Sequence, residues 1–377
     1  MIKRFLEESG YAPDLDRASG LAIEKGILKA YNEAKKGKTE LHYVINFTKN
    51  LKENILNLQK ELKEQTYKPE KLISFMIKDP KLRKISKSAF RDRIVHHALV
   101  QVIEPIFDQI FIYDSYANRI GKGTGLALKR FDLFLRKLTN NGTNLCSKNN
   151  NFIKGYALKA DIRKYFENVV QDILLELVER KIKDKQALWL IKQILDNFDA
   201  EIKGKGMPLG NLTSQFFANI YLNELDKFIK HKIKVKYYLR YVDDFIILER
   251  SKEKLELYKQ EINYFLINKL KLELHLDKSK IIPLSSGIPF VGFRIFHHYK
   301  ILRKNAIRRI SFRLNEWQEI YDLGIGDKEY YLTKLKGWIA YAVNGDTYKL
   351  RNNIISKFNL LIRSSRKPGS FSSNLSA

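Results

Sequence analysis

The chain has 377 residues, of which 44% are apolar and 12% aromatic, so it can build a large core and is not an intrinsically disordered protein. Lys and Arg outnumber Asp and Glu by 69 to 42, and the resulting net charge of +27 favours a polyanionic partner, nucleic acid above all. A solvated basic surface would give the same count. The single cysteine, Cys146, excludes a disulfide framework.

The N-terminal part of the chain is predicted to be helical. Apolar residues recur there at spacings of three and four, which predicts one amphipathic helix containing Phe47, Leu51, Ile55, Leu58 and Leu62. The sequence KLISFMI (71–77) predicts a strand that ends at Asp79-Pro80, and a second helix is predicted over 93–107. His96 and His97 lie in this helix and are interpreted as packed helix residues rather than metal ligands.

The middle of the chain alternates strands and helices. A polar, Asn-rich loop at 137–151 precedes a predicted strand, FIKGYALKAD (152–161), and two helices follow in DILLELVERKI and ALWLIKQILD. A glycine-containing loop at 204–210 leads into another predicted helix. One face of that helix carries Leu212, Phe216, Ile220 and Leu225.

Residues 235–250 predict a β-hairpin whose two strands are joined by a Val-Asp-Asp turn. An amphipathic helix follows in KEKLELYKQEINYFLINKL, and short strands follow in HLDKSKIIPL and PFVGFRIF. From about residue 301 the chain is predicted to be helical and basic, and 364–377 is predicted to be a disordered tail. The basic face is expected either to follow a nucleic-acid backbone or to be merely solvated, and it consists of Arg303, Lys304, Arg308, Arg309 and Arg313.

Three aspartates lie where apolar strands end. Asp243 and Asp244 form the hairpin turn, and Asp161 ends the strand YALKAD. Carboxylates suit a hard divalent cation such as Mg²⁺, and three of them at one sheet edge predict a two-metal site for in-line phosphoryl transfer. The alternatives are an ordinary Asp-rich turn and, for Asp161, a helix N-cap before IRKYF.

The motifs together resemble those of reverse transcriptases. YVDD (241–244) resembles their metal-binding signature, and KADIRKYFENV (159–169) resembles their first aspartate motif. Further similarities keep the family's order over about residues 65 to 300, in FRDRIVHHALVQVIEPIF, SYANRIGKGTGLAL, GMPLGNLTSQFFANIYLNELD, LELHLDKSKI and FVGF. The resemblance implies an α+β fold: a right-hand polymerase with fingers, a palm made of an antiparallel sheet packed by helices, and a helical thumb.

The resemblance also implies a division of the chain. The expected parts are an N-terminal helical extension (1–66), fingers (67–151), palm (152–296, with finger elements around 180–215), thumb (297–363) and tail (364–377). No maturase or endonuclease extension is expected. The implied activity is an RNA-directed DNA polymerase that uses two Mg²⁺ ions, with Mn²⁺ as a substitute, and that binds dNTPs, template RNA and the RNA–cDNA duplex.

The residue roles implied by the resemblance are as follows. Asp161 and Asp243 hold both metals, with Asp244 as the weaker contributor, and Phe166 is the steric gate against ribonucleotides. The primer grip is the segment Phe290, Val291, Gly292 and Phe293. The other residues expected at the nucleotide are Arg91, Arg93 and Arg119 for the triphosphate, Gly210 and Gln215 at the templating pair, and Lys278 or Lys280 as the lysine that protonates pyrophosphate.

A narrower resemblance is to the enzymes of diversity-generating retroelements. Leu209 precedes Gly210, and Ser214-Gln215 closes the stretch, where group II intron enzymes usually carry Gln-Gly and Ser-Pro. The narrower family implies errors at template adenines, diversification of a variable gene and a small, basic, oligomeric accessory protein. Leu209 has no polar group to check a base pair, although it could equally pack the loop.

Three alternatives remain open at this point. The chain could be a stand-alone defence reverse transcriptase, a group II intron-derived one, or an RNA-binding protein of another class that keeps the polymerase fold with little activity. No secretory signal or membrane span is predicted, so a cytoplasmic protein encoded by a bacterium, an archaeon or a phage is expected.

Overall fold

The computed structural model describes residues 26–78, 82–142, 153–199, 201–323 and 328–364. The chain forms two compact units. The first unit comprises Met1–Lys122, Ala160–Ile247 and Glu256–Lys280, and the second comprises Gly123–Lys159, Leu248–Leu255 and Ile281–Ala377. Within the described ranges, no helix is both long enough and apolar enough to cross a membrane.

The N-terminal elements are helices followed by a β-ribbon. They are α1 (26–35), α2 (His42–Lys49), α3 (Leu51–Lys63), β1 (Ile73–Lys78), β2 (Leu82–Lys87), α4 (Phe90–Asp108) and α5 (Thr124–Leu138). The single helix predicted from the apolar stripe is two helices, because Asn50 leaves helical geometry at φ −118° and ψ 42°. β2 was not predicted and pairs antiparallel with β1. The predicted turn at Asp79-Pro80 lies outside the described residues.

The central elements build an antiparallel sheet with helices packed on it. They are β3 (Tyr156–Asp161), α6 (Tyr165–Asn168), α7 (Gln171–Glu179), α8 (Lys185–Asp196), α9 (Leu212–Lys227), β4 (Tyr237–Tyr241), β5 (Asp244–Glu249), α10 (Lys252–Phe265) and β6 (Lys280–Pro283). The four strands have the order β4-β5-β3-β6. α9 is buried along most of its length, so it is a core helix of the first unit. The mixture of helices and antiparallel strands confirms the predicted α+β class.

The C-terminal elements belong to the second unit. They are β7 (Ile288–Phe290), β8 (Phe293–Ile295), β9 (Lys300–Leu302), α11 (Lys304–Asp322), α12 (Lys328–Ala342) and α13 (Tyr348–Ser364). The three short strands form an antiparallel sheet, and β9 lies where the sequence predicted only helix. The three helices share an apolar core made of Ile310, Leu314, Trp317, Tyr331, Leu335, Ile354 and Phe358. The predicted tail beyond Ser364 lies outside the described residues, and the division into fingers, palm and thumb stays a prediction.

Candidate active site

The β4–β5 hairpin places two carboxylates at its turn. Asp243 is a turn residue and Asp244 is the first residue of β5. The central residues of both strands are fully buried, so the core holds the hairpin in place. The turn requires Val242 to adopt a left-handed backbone at φ 57°. Such a conformation in a β-branched residue costs on the order of 1–3 kcal/mol and persists only where the surroundings enforce it.

Asp161 ends β3 and is tied to the segment 272–279. Its carbonyl accepts from the backbone N–H of His275 at 2.8 Å, and the next residue, Ile162, forms a β-bridge with Leu274. The ammonium of Lys278 donates to the Asp161 carboxylate and forms an ion pair with it, with 2.9 Å between Nζ and Oδ2. The segment after α10 therefore fixes both the backbone and the side chain of this aspartate.

Asp243 is near enough to Asp161 and Asp244 to be repelled by both carboxylates. Burial raises the pKa of Asp243 to about 6, and the negative charges of Asp161 and Asp244 add to the rise. Lys278 opposes it only weakly. An all-oxygen donor set with excess negative charge fits a hard divalent cation. Among the described residues, no three acidic, His or Cys side chains already converge at metal-binding distance.

The expected sugar-gate residue follows the first aspartate by five positions in the sequence. Phe166 is in the short helix α6, its side chain is partly exposed, and its ring lies 5.3 Å from that of Tyr165, measured between centroids. Its carbonyl accepts from the backbone N–H of Met207 at 2.8 Å. The helix that carries Phe166 is thus anchored to the loop that precedes α9.

The loop before α9 is joined to β2. The carbonyl of Leu209 accepts from the backbone N–H of Ser86 at 2.9 Å. Gly210 has φ 112°, and a Cβ built there would lie 2.8 Å from Ile85 Cγ2, so both conformation and space require glycine. Leu209 and Gln215 are partly exposed, and Gly210 is exposed.

Of the two candidate lysines, only Lys278 is paired with a site carboxylate. Lys280 is exposed at the first position of β6. Lys278 is thus the candidate that contacts Asp161, and the pyrophosphate role of either lysine stays a prediction.

The three candidate arginines have protein partners. Arg91 forms an ion pair with Glu61 and lies over the ring of Tyr67, and Arg93 donates from Nε to the Ser88 carbonyl at 3.0 Å. Arg119 is 6% exposed and pairs with Asp108 at 2.6 Å. These contacts anchor all three side chains, and their predicted contact with a triphosphate stays a prediction.

The expected primer grip is a β-turn of the second unit. Val291 and Gly292 both have left-handed backbones, at φ 37° and 88°, between β7 and β8. The hydroxyl of Tyr341 donates to the Val291 carbonyl at 3.2 Å. A Cβ on Gly292 would lie 1.8 Å from that hydroxyl oxygen, so no other residue fits under the tyrosine. The rings of Phe293 and Tyr341 are 5.0 Å apart.

Two further predictions concern helices. All five residues of the predicted basic face are exposed, with Arg303 just before α11 and the rest on it. His96 is buried in α4, and burial lowers its pKa to about 3, which agrees with a packed helix residue.

The sequence reasoning missed a buried ion pair below the aspartate turn. Arg240 and Asp226 are both completely buried, with 2.7 Å between the guanidinium Nη2 and the carboxylate Oδ2. The signal was present, because an arginine within the apolar strand YYLRYV needs a buried partner.

An antiparallel sheet packed by helices, with carboxylates at a hairpin turn and at the end of the neighbouring strand, is the arrangement that the sequence resemblance predicted. A model of the family described as reverse transcriptase (RNA-dependent DNA polymerase) matches residues 76–295. The chain therefore belongs to the reverse transcriptase family, and the expected enzyme class, an RNA-directed DNA polymerase, is confirmed.

The relatives of the chain include bacterial proteins. It is 26% identical over 269 residues to protein YkfC of Escherichia coli, covering 61% of this chain and 67% of that protein. It is also 26% identical over 327 residues to the group II intron-encoded protein LtrA of Lactococcus lactis, covering 68% of this chain and 51% of LtrA. The chain thus spans between half and two thirds of the length of these relatives. A solved structure, apo telomerase from Candida tropicalis, aligns with a TM-score of 0.48 at 14% identity, over 78% of this chain and 57% of that one.

Proposed function

We propose that the chain is an active reverse transcriptase, which copies an RNA template into cDNA from dNTPs at a site formed by Asp161, Asp243 and Asp244. The observation that carries the proposal is the position of these carboxylates, where burial raises the pKa of Asp243 to about 6 and repulsion from Asp161 and Asp244 adds to the rise. Nothing in a folded core is gained by such repulsion. A cation supplied from solution would remove it.

The roles of the residues follow from their positions. Asp161 and Asp243 would hold two Mg²⁺ ions, and Asp244 would assist. When bound, the ions polarise the primer 3′-hydroxyl and neutralise charge on the phosphates. Lys278, whose ammonium lies 2.9 Å from the Asp161 carboxylate, is the lysine proposed to give a proton to the departing pyrophosphate.

The pocket for the incoming nucleotide is proposed to lie between α6 and the segment 209–215, which joins the loop to the first turn of α9. The ring of Phe166 would meet a 2′-hydroxyl and so select deoxynucleotides. The Gly210 backbone, which has no side chain to hold a base away, would approach the templating pair, with Gln215 beside it.

The test is primer extension on an RNA template in Mg²⁺, with Asp243→Asn as the decisive variant. This substitution keeps the shape and removes one ligand charge, so extension should fall at least a hundredfold while RNA binding is retained. The matched control is Asp172→Asn, because Asp172 is exposed on α7. Extension by Asp243→Asn within a few-fold of the parent would refute the site. Retained RNA binding by an inactive parent would favour the alternative of an RNA-binding protein on a polymerase fold.

We further propose that the enzyme is of the diversity-generating type rather than a defence or intron-derived one. The support is Leu209, whose carbonyl is fixed by β2 while its side chain stays partly exposed beside Gly210. An apolar group there leaves no buried polar atom unpaired when a mismatch forms, so discrimination is weak. A template RNA and a small basic accessory protein are the partners that this proposal includes.

Leu209→Gln tests the narrower proposal. The variant should make several-fold fewer errors opposite template adenine, which is measured by sequencing the cDNA of parent and variant on one template. Leu257→Gln serves as the control, because Leu257 is 57% exposed on α10. An active Leu209→Gln enzyme with an unchanged adenine error rate would leave Leu209 as a packing residue.

A further inference from the structure

The buried guanidinium of Arg240 is the centre of a hydrogen-bond network under the aspartate turn. It donates to Asp226 through Nε at 2.8 Å and through Nη2 at 2.7 Å. Tyr238 donates to the same carboxylate at 2.6 Å. Two more bonds run from Nη1 to Asn219 Oδ1 at 3.1 Å and from Nη2 to Ser115 Oγ at 3.1 Å. Each nitrogen of the guanidinium is therefore held in a fixed direction.

The remaining bond of this network reaches the turn itself. Arg240 Nη1 donates at 3.0 Å to the backbone carbonyl of Val242, the residue with φ 57°. A β-branched residue returns to an extended or helical backbone unless something holds it. The charged hydrogen bond from Arg240 is directed at the peptide that joins Val242 to Asp243, so it fixes the direction in which that aspartate leaves the turn.

The network also joins the turn to the segment 112–119, which contains the SYANR motif. Arg240 and Ser115 form a parallel β-bridge, with backbone bonds from Arg240 N to the Asp114 carbonyl at 2.9 Å and from Tyr116 N to the Arg240 carbonyl at 3.0 Å. Arg119 holds the segment from its other side by donating to the Ser115 carbonyl at 3.0 Å. SYANR thus supports the aspartate-bearing hairpin.

From these contacts we infer that Arg240 is a positioning residue, which keeps Val242 left-handed and so directs Asp243 toward the metal ions. This inference rests on the proposed function. Asp226 keeps the guanidinium in place, and Ser115 and Asn219 set its orientation. Lysine cannot replace it, because an ammonium donates from a single nitrogen, whereas the five hydrogen bonds of Arg240 leave from three nitrogens of a planar guanidinium.

The first experiment compares the parent with Arg240→Lys, which keeps the buried charge. Binding of Mn²⁺ alone is measured by electron paramagnetic resonance, and extension kinetics are measured separately. Folding is checked by circular dichroism and thermal unfolding. Folded Arg240→Lys should bind Mn²⁺ about tenfold more weakly, and its kcat should fall about a hundredfold with an unchanged KM for the primer–template. Asp243→Asn is the reference for lost metal binding.

The second experiment adds Val242→Asn to Arg240→Lys. Asparagine adopts the left-handed conformation far more readily than valine, so the double variant should recover about tenfold in kcat and most of the Mn²⁺ affinity. A general packing defect would not be repaired in this way. Folded Arg240→Lys with parental Mn²⁺ binding and kcat, or a double variant without recovery, would overturn the inference.

If Arg240→Lys does not fold, a milder variant tests the positioning role of Arg240 instead. Ser115→Ala removes one bond to the guanidinium and little volume, and it should lower kcat three- to tenfold at constant KM. A kcat within twofold of the parent would overturn the inference. An inactive parent would refute the proposed polymerase function, and the Mn²⁺ comparison would still judge the role of Arg240.

Discussion

Removing the charge of Asp243 should stabilise the metal-free protein. Burial and the neighbouring carboxylates raise the pKa of Asp243 from 3.8 to about 6. The folded chain therefore holds this proton more tightly than the unfolded chain, and stability falls as the group ionises. The destabilisation is absent below about pH 3.8 and complete above about pH 6, where about 1.36 kcal/mol per pKa unit amounts to about 3 kcal/mol.

Asp243→Asn, unfolded in the presence of a chelator, measures this effect. At pH 7.5 the variant should be up to about 3 kcal/mol more stable than the parent, or about 4 °C in Tm if the chain unfolds in one transition. The difference should shrink toward zero as the pH falls from 6 to 4. Saturating Mg²⁺ should reverse the order, because only the parent gains binding energy. Asp172→Asn is the control. A difference that does not change between pH 4 and 7.5 would refute the electrostatic reasoning.

Three more predictions follow from the site. Phe166→Ala should incorporate ribonucleotides at least tenfold better than the parent in single-nucleotide extension, and unchanged selectivity would make the ring a packing residue. Tyr341→Phe removes the hydroxyl that donates to the Val291 carbonyl, so the KM for primer–template should rise several-fold with little change in kcat; a pure loss of kcat would contradict a role at the primer. If about six phosphates are contacted, RNA affinity should fall about a thousandfold between roughly 50 and 200 mM salt in a titration, and a flat response would leave the net charge of +27 without this role.

Local patterns predicted most of the elements, because apolar periodicity depends only on neighbours in sequence. The β4–β5 hairpin and α9 were anticipated, and the end of β3 at Asp161 was located correctly. The failure to predict β2 has a local cause. LRKISK in β2 is too polar to be recognised as a strand, and its N-terminal half is exposed and paired only with β1. The helix predicted through Asn50 was wrong because the apolar stripe continues across a break that only the backbone reveals.

The partners of charged residues could not be predicted in the same way. Nothing in the sequence identified Asp108 as the partner of Arg119 or Asp226 as the partner of the buried Arg240, since these pairings depend on how distant elements pack. For the same reason, the sequence could not show which of Lys278 and Lys280 lies near Asp161. Both follow the YVDD hairpin, and only the backbone path after α10 brings one of them to Asp161.

The bridge between Ser115 and Arg240 has a consequence for synthesis of the chain. The two residues are 125 positions apart. At about 5–20 residues per second, the segment around Ser115 leaves the ribosome roughly 6 to 25 seconds before its strand partner. Asn211, which receives bonds from Ser88, arrives with a similar delay of 123 positions. The early-made segment must therefore wait with its polar groups solvated, and the turn at Val242 and Asp243 can lock only after the chain has been translated past Arg240.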